Sequence, residues 1–197
     1  MNKRFFIFLL AVLLSSCKQP STSSTIIQQT DEHPPTVTPS CGVSPKPAKK
    51  DVDRALAHTG EIFSAPEWEQ SYAVAETTVA VTWQNVVHGA LAYLEMRIKP
   101  CGYEESDLDK DFSNENWKAI FANYESYKSI TECRTNKGLR LYQFNTKNQG
   151  VEYAINFWAQ SDTDTRVIVT MIVFPVEEKT LLADYSKRLF PNLPDCP

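Results

Sequence analysis

None of the short motifs that announce a chemistry occurs in these 197 residues. There is no Gly-x-Ser-x-Gly, no His-Glu-x-x-His, no Walker loop and no dinucleotide fingerprint, so the usual hydrolase, zinc-peptidase and nucleotide-binding readings have no motif to stand on. Histidine is scarce, with His33, His58 and His88 only. His88 and Glu95 share one face of the helix expected there, but seven residues set them about 10.5 Å apart along its axis. A catalytic pair would need a nucleophile from elsewhere. Cys-x-x-Cys is absent, and no cysteine spacing fits a metal. Asp107, Asp109, Asp111, Ser113 and Glu115 place oxygen ligands at every second residue, as a calcium loop does. Phe112 then stands where that loop needs glycine and Lys118 where it needs glutamate, so neither a metal nor a cofactor is expected. Positive charge is also short. From Asp51 onward 14 Lys and Arg face 22 Asp and Glu, a net charge of −8, which excludes nucleic acid and favours a cationic partner.

Long apolar runs are missing too. The longest is Phe5 to Leu14, ten residues, which as a helix spans about 15 Å of a hydrocarbon core of roughly 30 Å. Preceded by Lys3 and Arg4 and followed by Ser15, Ser16 and Cys17, it has the form of an export signal. Leu14-Ser15-Ser16-Cys17 resembles the lipobox of bacterial lipoproteins. That resemblance implies residues 1–16 as a cleaved signal peptide, acylation of Cys17, a membrane partner through the lipid anchor and a place in the cell envelope. Lys18 after the cysteine implies the outer membrane, if the cell has two membranes.

Residues 17–50 form a tether. Lys18 to Lys50 holds 6 prolines, 10 serines or threonines and no aromatic residue, a composition that cannot bury enough surface to offset its ordering entropy. Its reach as a coil is about 30 Å.

Residues 51–197 read as one α+β domain. Val151 to Phe174 is the clearest stretch: two β-branched and aromatic runs separated by SDTDT, a hairpin whose second strand is apolar at both phases and so is covered on both faces. With Leu139 to Asn145 it makes a three-strand meander over about 139–174. Val52, Ala55 and Leu56 suggest a short helix, and Ser64 with Glu67 a capping box for another, with an extended segment near Tyr72 to Ala75. Trp83, Val87, Ala90, Leu91, Leu94 and Ile98 recur at helical spacing before Pro100, which predicts a helix over about 78–98. Further helices are expected over about 114–128, with Ser113 as N-cap, and about 177–189.

Four cysteines remain besides Cys17, and four allow three pairings. Cys101 with Cys133 and Cys41 with Cys196 is the favoured set. Trp158 shares a strand face with Glu152 and Asn156, either as an exposed partner contact or buried under a helix. Asp107, Asp109 and Asp111 lie in a solvated acidic loop that would guide a cationic envelope protein or peptide. The expected function is a lipid-anchored binding or assembly module, with an envelope hydrolase of non-motif active site as the alternative. The oligomeric state is open.

Overall fold

A computed structural model of the chain describes residues 49–60, 67–163 and 165–193. The signal, Cys17, most of the tether with His33 and Cys41, Ser64 of the expected capping box, and Cys196 lie outside these residues.

The domain is an α+β fold built on one seven-stranded antiparallel sheet. Its elements in chain order are α1 (Lys49–Leu56), β1 (Trp68–Val74), β2 (Thr78–Asn85), β3 (Ala90–Ile98), α2 (Glu105–Asp111), α3 (Asn114–Ile120), β4 (Ser126–Arg134), β5 (Arg140–Asn148), β6 (Val151–Thr163), β7 (Arg166–Pro175), a 3-10 turn (Val176–Glu178) and α4 (Lys179–Leu189). The strand order is β1-β2-β3-β7-β6-β5-β4, which sets β7 at the centre. That position explains its composition, since Arg166 to Phe174 is buried along its whole length. The meander β5-β6-β7 stands where the sequence places it. Gln149 and Gly150, both at positive φ, make the two-residue turn from β5 to β6, the conformation whose twist matches that of the strands it joins.

Helices cover both faces. α1 and α4 lie on a first face through Ala55, Leu182, Tyr185 and Leu189, over Trp83, Leu94, Trp158 and Phe174. On the second face the β3-to-β4 crossover packs Leu108, Phe112, Trp117 and Phe121 against Tyr142, Phe144, Ile155 and Phe157. Trp117 is the hub of this layer, with the rings of Phe144, Phe157, Tyr142 and Phe112 centred 4.7, 4.9, 5.1 and 5.7 Å away.

Two expected helices are corrected. Residues 78–98 form the β2-β3 hairpin, paired from Thr78↔Arg97 to Asn85↔Ala90. The chain reverses where Asn85 accepts the backbone N–H of Val87 and of His88 on its side-chain oxygen, at 3.1 Å each, and Gly89 takes a positive φ of 62°. The apolar residues that recur at helical spacing belong to strands covered on both faces, where either period is filled by chance. The helix expected over 114–128 ends at Ile120, because Ser126 to Arg134 pairs with β5 as the sheet's edge. Its N-cap position is Ser113, without a side-chain capping bond. The extended segment near Tyr72 lies in β1.

Candidate functional site

The crossover leaves a cavity of about 210 Å³ between α2-α3 and the second face of the sheet. Tyr93, Glu95 and Arg97 of β3 form one wall, Phe157 and Val169 the floor, and Asp111, Phe112, Asn116, Ala119 and Ile120 the other wall. Strand spacing puts Tyr93, Glu95 and Arg97 on one face of β3. The Glu95 side chain is 7% exposed and ion-paired with Arg97. It accepts hydrogen bonds from the Tyr93 hydroxyl and from Arg97 Nε, one on each carboxylate oxygen. A buried carboxyl group costs free energy unless its oxygens are hydrogen-bonded in this way. The Arg97 guanidinium also lies 5.8 Å from the Phe112 ring centre.

At the opposite wall the Tyr103 hydroxyl donates to Asp111 Oδ2 at 2.6 Å. Burial, and then that bond to a carboxylate, push the Tyr103 pKa far up, so this hydroxyl is a permanent donor. The Asn116 side-chain amide donates to the carbonyls of Lys110 and Asp111 at 2.8 and 3.1 Å, fixing the joint between α2 and α3. The cavity thus has a rigid rim, an apolar body, two carboxylates and one guanidinium.

The acidic run is less solvated than its sequence suggests. Arg140, with 2% of its side chain exposed, takes Asp109 on Nε and Glu105 on its terminal nitrogens at 3.1 Å. The Ser161 hydroxyl donates to Glu105. That bond and the Arg140 guanidinium hold the Glu105 carboxyl below its usual range, and hydrogen bonding from Arg140 does the same for Asp109. Asp107 accepts Lys110 Nζ at 2.8 Å and the Glu104 backbone N–H at 3.0 Å, which lower its pKa in that order. Of the three aspartates, Asp111 alone lines the cavity, and Asp109 is a structural anchor for Arg140.

Trp158 is 1% exposed. It packs on the first face with the Phe190 ring centred 6.1 Å away, which removes it as a partner contact. His88 sits on the β2-β3 turn, with Nδ1 2.8 Å from Glu178 Oε2 and away from Glu95. His58 Nε2 lies 3.2 Å from Asp162, which also receives Arg54, so this group joins α1 to the end of β6.

Cys101 and Cys133 are each disulfide-bonded, but not to one another. β3 and β4 stand four strand spacings apart in the sheet, about 19 Å. Cys133 is level with Leu94 through Leu141, Trp158 and Thr170. Cys101 follows Ile98 by three residues, a reach of at most about 11 Å, while a disulfide needs Cα atoms within about 7 Å. The favoured Cys101–Cys133 pairing is therefore corrected. Its companions Cys41 and Cys196 lie outside the described residues.

No protein-family model matches the chain, and no curated protein matches it. Among solved structures it is similar to LpqN of Mycobacterium tuberculosis, described as involved in cell envelope biogenesis. The likeness is 10% in identity, covers 64% of this chain and 77% of that one, and has a TM-score of 0.37, too slight to bear on fold or function.

Proposed function

We propose that the chain is a cell-envelope lipoprotein, held by acylated Cys17, whose domain is a binding module for the ammonium group of a cationic envelope peptide or protein. The anchor rests on the lipobox and its basic, apolar leader. Two or more acyl chains give stable attachment where one is marginal, and Lys18 directs the protein to the outer membrane of a two-membrane cell.

The cavity beside Glu95 carries the binding reading. Two carboxylates face one guanidinium around an apolar body lined by Phe112, Ile120, Phe157 and Val169. A lysine-like side chain suits such a lining, with its methylenes against the rings and its cation near Asp111 and Glu95. A cavity of this size takes a side chain or a single ring rather than a polymer. The hydrolase reading is the weaker one, because among the described residues the lining contains no serine, threonine, cysteine or histidine, and its Glu95 carboxylate is already held by Tyr93 and Arg97.

The binding test uses the full chain with Cys17→Ala, labelled for amide NMR and titrated with n-butylamine, trilysine and butyrate. The amines should shift the amides of Glu95, Phe112 and Ala119, and Ala119→Trp, which fills the exposed mouth of the cavity, should abolish the response. Shifts with butyrate alone, or none at the cavity, would overturn the reading. The anchor is tested separately by metabolic labelling with a fatty-acid analogue, which Cys17→Ala should eliminate; retained label would remove the lipidation assignment and leave the binding site standing.

A further inference from the structure

The two edges of the sheet are built differently. β4 carries Lys128, Glu132 and Arg134 and a register irregularity between Ser129 and Thr131, the charges and bulge by which an edge strand avoids pairing with another chain. β1 has neither protection. It pairs with β2 in unbroken register, contains no lysine, arginine or proline, and holds a single charge, Glu69. Every residue from Glu69 to Val74 is exposed, with Tyr72 at 68% and Val74 at 54%.

The hydrogen-bond phase of this edge follows from its turn. The Ala75 N–H donates to the Thr78 carbonyl at 2.8 Å, so these two residues form a hydrogen-bonded pair. Opposed pairs alternate in an antiparallel ladder. Ala73, Ser71 and Glu69 therefore direct their backbone groups to β2. Val74, Tyr72, Gln70 and Trp68 direct theirs outward, where no further strand lies among the described residues.

We propose that β1 pairs with β1 of a second copy of this chain, antiparallel, about a two-fold axis at Ser71. In that register Gln70 faces Tyr72 and Trp68 faces Val74, so all four outward-facing residues of each strand enter hydrogen-bonded pairs. A slip of two residues either way leaves one of the four without a mate, and a slip of one sets outward groups against inward ones. The charge pattern agrees. Glu69 faces Ala73 and never its own copy, so the only ionised side chain of the strand meets no like charge. A single surface that satisfies itself in this way forms an isologous contact, which closes at two copies and joins two sheets into one.

The register gives the test. Ser71 faces Ser71 at a non-hydrogen-bonded position, where Cα atoms lie about 4.5 Å apart, within disulfide range. The full-length protein carrying Ser71→Cys, oxidised in isolated envelopes, should run as a cross-linked dimer on a non-reducing gel. Glu69→Cys and Ala73→Cys should each fail alone and cross-link when the two variants are co-expressed. Tyr72→Pro removes an outward N–H that β2 does not use, a substitution an edge strand tolerates. In the Cys17→Ala background it should convert the dimer seen by light scattering to a monomer without lowering Tm. Absence of the Ser71→Cys dimer, cross-linking of Ser71→Cys to a different protein, equal linking at 69 and 71, or a mass unchanged by Tyr72→Pro would each overturn the pairing.

Discussion

Arg140 is buried while the carboxylates that hold it are half exposed, so the energetics of the acidic run sit on the arginine. Asp109→Lys removes a charged acceptor from a buried guanidinium. An unmet hydrogen bond of that kind costs about 1–3 kcal/mol, and the melting temperature should fall accordingly. Asp107→Lys, which gives up exposed Lys110 and the Glu104 backbone N–H at the start of α2, should lower Tm less, by the equivalent of about 0.5–1 kcal/mol. The same cluster sets a pH dependence. Glu105 and Asp109 have folded pKa values below their ordinary 4.5 and 3.8. Their contribution is therefore complete above those values and is lost as pH falls through the lowered ones. Thermal melts between about pH 2 and 6 should show a steep acid limb that Arg140→Met flattens. Equal limbs in the two proteins would show that other carboxylates govern acid unfolding.

At the scale of the element, the cysteines give a direct check on strand order. Peptide mapping of the unreduced protein should recover Cys101 and Cys133 in separate disulfide-linked peptides. A Cys101–Cys133 peptide would contradict the placement of β3 and β4 four strands apart. What could be read beforehand depended on burial. β7 was legible because a central strand must be apolar at both phases, and β5 and β6 because β-branched and aromatic residues crowd around short polar turns. The β2-β3 hairpin was not, for the same reason that β7 was. ALAYLEMRI is covered on both faces, so its apolar residues satisfy a helical period as readily as a strand period, and Val87, exposed at 76%, continues the false stripe through the turn. The error carried the cavity with it. Tyr93, Glu95 and Arg97 converge only at strand spacing, and the signal that would have found them was two opposite charges two residues apart inside an otherwise apolar run. Trp158 was placed on the correct strand, but its exposure depended on α4, whose docking over β6 no local pattern reveals.

At the scale of the molecule the sheet consists of two runs of sequential hairpins, β1-β2-β3 and β4-β5-β6-β7, which meet only along β3 and β7. Partners on that line, from Leu91↔Val173 to Ile98↔Arg166, are far apart in the chain, whereas every other ladder joins neighbours. Loop-closure entropy makes such a junction the slow step of assembly and the natural line of partial opening. The cavity straddles it, since Tyr93, Glu95 and Arg97 stand on one side and Val169 and Phe157 on the other. An occupant would act as a clasp across the line where the two runs of hairpins meet. Native-state hydrogen exchange should then show β3 amides opening at lower free energy than those of β5 and β6, with n-butylamine raising the former selectively. Protection that rises uniformly would place the amine elsewhere. The crossover that roofs the cavity is also the strap that joins one run of hairpins to the other, and filling the space beneath it would tighten the strap.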